Sequence, residues 1–374
     1  MIFLTDLRKH DRIVKSINQT EGYLTTQVAF SYFEKGDQSL TMSEKSQWGS
    51  KLGFILASAG SVIGLGSVWK FPYMTAANGG GGFLLIFLIS TILIGFPLLL
   101  AEFALGRSAG VSAIKTFGKL GKNNKYNFIG WIGAFALFIL LSFYSVIGGW
   151  ILVYLGIEFG KLFQLGGTGD YAQLFTSIIS NPAIALVAQA AFILLNIFIV
   201  SRGVQKGIER ASKVMMPLLF IILPQLFDKM PFGTIFYVLF LFATVTSSVV
   251  MLEINVDNIT NQDNSKRAKW SVILEILTFV FGIPSALSYG VMADVHIFGK
   301  TFFDAMDFLV SNLLMPFGAL FLSLFTGYIF KKALAMEELH LDERAWKQGL
   351  FQVWLFLLRF VIPIIIVVFI AQFM

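Results

Sequence analysis

Residues 53–71 read GFILASAGSVIGLGSVWKF, and Pro72 follows. The stretch is long and apolar enough to cross a bilayer, which takes about 20 residues of helix. Yet it carries glycine at Gly60, Gly64 and Gly66 and serine at Ser58, Ser61 and Ser67, which a simple anchor does not need. Two readings are open. Small residues let neighbouring helices approach closely, so this is a tightly packed span. Alternatively the helix is broken and lends bare carbonyls and amides to a small ligand. A break survives in hydrocarbon only where protein or a water-filled cavity surrounds it.

The rest of the chain sets the context. Of its 374 residues 56% are hydrophobic, 13% are charged and forty are phenylalanine. With a mean hydropathy of +0.76 this is an all-α polytopic membrane protein, not a water-soluble domain. The net charge of +6 suits basic loops beside anionic lipid, and no basic patch marks a nucleic-acid partner. The chain has no cysteine, which excludes disulfides, thiol chemistry and cysteine metal sites. His10, His296 and His340 are scattered, which argues against a histidine metal site. Gly299-Lys300-Thr301 resembles a phosphate-loop ending, but Asp294 stands where that loop needs glycine. Gly64 and Gly66 lie in a membrane span without a preceding strand, so they form no dinucleotide fingerprint. No Ser/His/Asp cluster is visible, and no enzyme or cofactor is expected.

Residues 1–41 are polar, and Met42 opens MSEKSQWGSKLGF like a natural start. Residues 1–41 are therefore expected to be an N-terminal extension, and 42–374 a single transmembrane domain. Apolar spans run at about Leu52–Met74, Phe83–Leu105, Phe128–Leu155, Ile184–Val200, Phe232–Leu252, Trp270–Tyr289, Phe308–Phe330 and Leu350–Phe373. Val214–Leu223 is too short to span unaided. Basic loops nevertheless alternate with lysine-poor ones only if it counts as a crossing. Arg107 to Lys125, Arg202 to Lys213, Lys266 to Lys269 and Lys331 to Lys347 then fall on one side. Nine crossings follow, with the N-terminus cytoplasmic and the C-terminus outside. A segment that counts as a crossing but lacks its length implies that part of the chain is missing there.

On Phe240–Met251, FLFATVTSSVVM, Ala243, Thr246 and Ser247 share one helical face. Hydroxyls in a membrane helix often bond back to their own carbonyls. Opposite a broken helix they would instead complete a cage of neutral oxygens for a hard cation such as sodium. Lys70, Glu102, Asp304, Asp307 and Arg359 are charges in or near spans, where snorkelling to the interface is the plain alternative.

These residues carry a resemblance. GSVIGLGSVWKFPY with NGGGGF at Asn78–Phe83, GFPLLLAEFALGR at Gly95–Arg107, RGVQKGIER, FATVTSS and FFDAMDF together resemble the neurotransmitter:sodium symporter family from Ser46 onward. The resemblance implies the LeuT-like inverted-repeat fold, with discontinuous helices around a midplane site. It also implies sodium-coupled symport of an amino acid or related amine by alternating access. One sodium site would take the carbonyls of Gly60, Ile63 and Ala243 and the hydroxyls of Thr246 and Ser247. A second would use the Val62 carbonyl and Ser67, where the family's prototype has asparagine. Val62, Leu65, Gly66, Leu140 and Tyr144 would hold the substrate. Lys70 and Asp307 would form the outer gate, and Lys45 and Trp48 half of the inner one, with Asn261 where an aspartate is expected. The chain passes from Leu223 directly to Pro224 and a segment resembling the approach to the family's eighth helix. Counterparts of the sixth and seventh helices are absent from it, so the resemblance implies an internal deletion that impairs transport. A non-transporting membrane binding or scaffold protein is the alternative. Expected partners are sodium, a small-molecule substrate and membrane lipid, with a homodimer also in view.

Overall fold

The computed structural model describes residues 50–162, 171–202, 208–215, 232–261, 263–341 and 345–373. Lys45, Trp48, the boundary at residue 41 and the Leu223–Pro224 junction lie outside the described residues.

The opening stretch is broken. Helix α1 (Lys51–Val62) starts at Ser50, whose hydroxyl oxygen accepts from the Gly53 amide at 3.0 Å and donates to Glu209 Oε1 at 2.7 Å. It ends where Ile63 leaves helical geometry at φ −82° and ψ 77°. The chain resumes as a π-helical turn, Gly66–Lys70, which runs straight into α2 (Phe71–Ala77).

Among the described residues, seven further helices are long and apolar enough to cross a membrane. They are α3 (Gly81–Ala109), α5 (Asn124–Gly160), α7 (Pro182–Val200), α8 (Thr234–Thr260), α9 (Ser265–Leu287), α10 (Phe302–Ile329) and α12 (Trp346–Ala371). Short helices α4 (Ala113–Gly121), α6 (Tyr171–Ser180) and α11 (Lys332–Glu338) link them. With the broken α1–α2 pair these account for every expected span except Val214–Leu223, most of which lies outside the described residues.

One detail departs from the all-helical expectation. Before α10, β1 (His296–Ile297) and β2 (Lys300–Thr301) pair antiparallel, turning through Phe298 and Gly299 at φ 51° and 74°. Thr301 and Asp304 then cap α10. The Asp304 amide donates to Thr301 Oγ1 at 3.2 Å, and that hydroxyl donates back to Asp304 Oδ2 at 2.8 Å.

Helix α5 is the hub of one core. It meets α7 through Gly148 and Gly149, where a Cβ would lie 2.5 Å from the Phe192 ring and 2.7 Å from the Ala188 backbone. Glycine permits that approach, which gives two membrane helices close van der Waals contact. Trp150 stacks on Phe303 at 5.8 Å and closes the same core toward α10. A second core joins α3, α10 and α12 around Ala101, Ala104, Phe325 and Leu358. The outward faces of α3 and α7 expose residues such as Ile86 and Leu194, as a lipid-facing surface requires.

Candidate functional site

The break in α1 redirects specific backbone groups. In an unbroken helix the amides of Gly64 and Ser67 would bond the carbonyls of Gly60 and Ile63. Here the Gly64 amide donates to the Val62 carbonyl at 3.0 Å and the Ser67 amide to the Gly64 carbonyl at 3.1 Å. The carbonyls of Gly60 and Ile63 thereby lose their helical partners, and Gly60 is buried against α8.

Helix α8 brings hydroxyls to the Gly60 carbonyl. Thr246 Oγ1 lies 2.9 Å from the Gly60 carbonyl, 3.0 Å from the Ala243 carbonyl and 2.9 Å from the Phe242 carbonyl. Ser247 Oγ lies 3.4 Å from the Gly60 carbonyl. A hydroxyl has a single proton to donate, so Thr246 cannot satisfy three carbonyls at once. The cluster holds more oxygen lone pairs than protons and contains no charged side chain, which suits a small hard cation. Ile63 packs against Leu239 and Ala243, so the last residue before the break is seated on the same helix.

Gly64 explains how two helices come this close. A Cβ there would lie 2.3 Å from Ser247 Oγ and 2.9 Å from the Tyr144 hydroxyl. Thus the break and the close packing occur together, because a glycine at the break also permits the approach. Two residues on, Gly66 faces open space, and a Cβ there would have no described atom within 4 Å.

Tyr144, buried in α5, accepts from the Leu65 amide at 3.3 Å. Leu140, one turn earlier on α5, lines a cavity of about 640 Å³ with Glu102, Asn258, Val310 and Leu314. Leu65, Gly66 and Tyr144 do not line that cavity, so Leu140 stands apart from the other expected substrate residues. Ser67 Oγ donates to the Val62 carbonyl at 2.7 Å, and both residues are exposed. Lys70 Nζ reaches Asp307 at 3.0 Å, pairing the π-helical turn after the break with α10.

Comparisons with known proteins bear on this arrangement. Residues 45–165 match the sodium:neurotransmitter symporter family. The sodium-dependent transporter YhdH of Bacillus subtilis (strain 168) is 38% identical over 442 aligned positions, covering 87% of this chain and 98% of YhdH. The chain belongs to the sodium:neurotransmitter symporter family. A sodium-dependent transporter of Haemophilus influenzae is 24% identical over 455 positions, covering 87% of this chain and 97% of its own. The crystal structure of MhsT in complex with L-phenylalanine superposes with a TM-score of 0.79 at 29% identity, covering 88% of this chain and 99% of MhsT. This symporter-family chain is therefore a multi-pass membrane protein with a LeuT-like fold.

Sequence reasoning missed one feature of this family member. Helix α9 buries Glu275 completely, next to Asn196 of α7, which in turn accepts from Ser248 of α8. The signal was present, since Glu275 is a carboxylate in the middle of a predicted span, and such residues are rare without a role. The other in-span charges find positions of their own. Arg359 Nε donates to the Gly327 carbonyl at 2.6 Å, and Glu102 faces the cavity.

Proposed function

We propose that this chain is a sodium-coupled symporter of an amino acid or related amine whose transport is impaired by an internal deletion. The carbonyls of Gly60, Ile63 and Ala243 and the hydroxyls of Thr246 and Ser247 hold one sodium ion. Val62 and Ser67 contribute half of a second site. The amides of Leu65 and Gly66 with the Tyr144 hydroxyl receive the substrate carboxylate, with Val62 beside them, whereas Leu140 lines the separate cavity. Lys70 and Asp307 latch the outer side, with Lys45 and Trp48 on the inner side. The N-terminus is cytoplasmic, and the C-terminus lies outside. The observation that carries this reading is the Gly60 carbonyl, turned out of its own helix and met by both hydroxyls of α8. The phenylalanine bound by MhsT supports an amino-acid substrate.

Two observations support the deletion. First, 87% of 374 residues is about 325, so an alignment of 442 positions leaves about 117 without a residue of this chain. The alignment reaches across 98% of YhdH, so those positions fall inside it and not beyond its ends. Second, Val62 is 72% exposed at the break, and Gly66 faces open space among the described residues. Bare backbone at membrane depth cannot face lipid. Both fit the loss of the family's sixth and seventh helices between Leu223 and Pro224.

The test uses the purified chain in liposomes. Sodium-driven uptake of labelled L-phenylalanine is expected to be absent, and its presence would overturn the impairment. Sodium is nonetheless expected to raise the melting temperature. At about ten times its dissociation constant it stabilises by about 1.4 kcal/mol, equivalent to about 2 °C. Thr246→Ala with Ser247→Ala should abolish that rise, and a rise that persists would sink the site. An intact cage without uptake is also what a non-transporting binding protein would show. Resequencing across the Leu223–Pro224 codons tests the deletion itself, because a longer reading frame there restores the ordinary transporter.

A further inference from the structure

Glu275 sits near the middle of α9 with no exposed surface. Among the described residues neither carboxyl oxygen has a hydrogen-bond partner, and no basic side chain pairs with it. The side chain facing it is Asn196 of α7, also fully buried, whose Nδ2 has no partner either. Ser248 of α8 donates from Oγ to Asn196 Oδ1 at 2.9 Å, with the Val245 carbonyl as an alternative acceptor at 3.0 Å. One turn further along α9, Thr278 Oγ1 is buried and unpartnered; one turn back, Ser271 is bonded to the Arg267 carbonyl.

The charged groups on the surrounding helices are committed or distant. Helix α7 contains none between Pro182 and Val200. Helix α5 carries Lys125 and Glu158 near its two ends. On α8, Glu253 pairs with Arg267, two turns from Glu275 on α9, and Asp257 lies a further turn toward the same end. Lys266 pairs with Asp263 in the turn between them, and Lys269 is exposed.

An ionised carboxylate in that position would need a cation or several donors, and it has neither. A neutral carboxyl needs far less. We propose that Glu275 is a proton-binding site inside the bundle of α5, α7, α8 and α9, read by α8 through Asn196 and Ser248. Loss of the proton to bulk water leaves a carboxylate that draws the free Asn196 Nδ2 toward it. The Ser248 hydroxyl then exchanges Asn196 Oδ1 for the Val245 carbonyl. Ser248 follows Ser247, so the proton and the sodium cage share one helix. That coupling rests on the sodium reading, whereas the proton site does not.

Infrared spectroscopy of the purified full chain in lipid tests it. The wild type is expected to show a protonated-carboxyl band that is lost in Glu275→Gln. The amide is the shape of the neutral acid, so the melting temperature at neutral pH should change by no more than about 2 °C. Asn196→Leu should retain the band and shift its frequency, which covers the case in which Glu275→Gln does not fold. A band that survives in Glu275→Gln, or one unmoved in Asn196→Leu, overturns the proposal. In the same preparations the sodium-dependent melting shift should vary with pH in wild type and not in Glu275→Gln. A band assigned to Glu275 with no sodium shift at any pH removes the sodium reading and leaves the proton site standing.

Discussion

The two faces of the α1 break release the same kind of group and meet different fates. Toward α8, the Gly60 carbonyl is buried and met by Thr246 and Ser247. On the other face, the Val62 carbonyl is met by Ser67 from its own chain, and both residues are exposed. A helix break supplies oxygens in every direction, but a site forms only where a second element brings donors and excludes lipid. The first face has its second wall, and among the described residues the second face lacks one.

Gly64 and Gly66 give the sharpest test of that contrast, since they stand two residues apart and differ in what a methyl group would meet. Gly64→Ala places a Cβ against Ser247 Oγ and Tyr144. Overpacking of this kind costs about 1–3 kcal/mol, and the sodium-dependent melting shift should vanish with it. Gly66→Ala points its methyl into open space, so its melting temperature and its sodium shift should stay near wild type. Equal damage from the two variants would mean that a wall does cover Gly66, which would break the comparison.

The sequence made much of this legible because glycine and hydroxyl positions in an oily span are costly unless used. Gly60, Gly64 and Gly66 marked the break, and the spacing of Ala243, Thr246 and Ser247 marked the face opposite. What spacing cannot give is which groups meet across helices. Nothing local says that Gly64 touches Tyr144 or that Leu140 faces a cavity away from it. That Glu275 faces Asn196 depends on the register between α7 and α9, which no single span encodes. The hairpin at His296–Thr301 is too short to leave a strand pattern.

Ser67→Ala tests the open face at a smaller scale. Its hydroxyl bonds the Val62 carbonyl within the same turn, at an exposed position. Exposed substitutions of this kind change stability by about 0.5 kcal/mol or less. The sodium-dependent melting shift should be unchanged, because the proposed complete sodium site lies on the other face and Ser67 contributes only to the half-formed one. A shift reduced by half or more in Ser67→Ala would place sodium on the open face and contradict the contrast directly.

The smallest effect is expected at the ion pair of Lys70 and Asp307, 3.0 Å apart. Their side chains are 53% and 36% exposed, so water and salt screen the pair. Such bridges contribute about 0–1 kcal/mol, and Lys70→Gln should lower the melting temperature by about 2 °C or less. Asp307 also accepts from Ser311 Oγ at 3.0 Å, so its carboxylate keeps one partner when the lysine is gone. The difference between Lys70→Gln and wild type should disappear in about 1 M salt, where the screening length falls to about 3 Å. A larger loss that resists salt would mean the pair is shielded from water. In that event the Lys70–Asp307 pair has a cover that Val62 and Gly66 lack, and the opening would be confined to the level of the break itself.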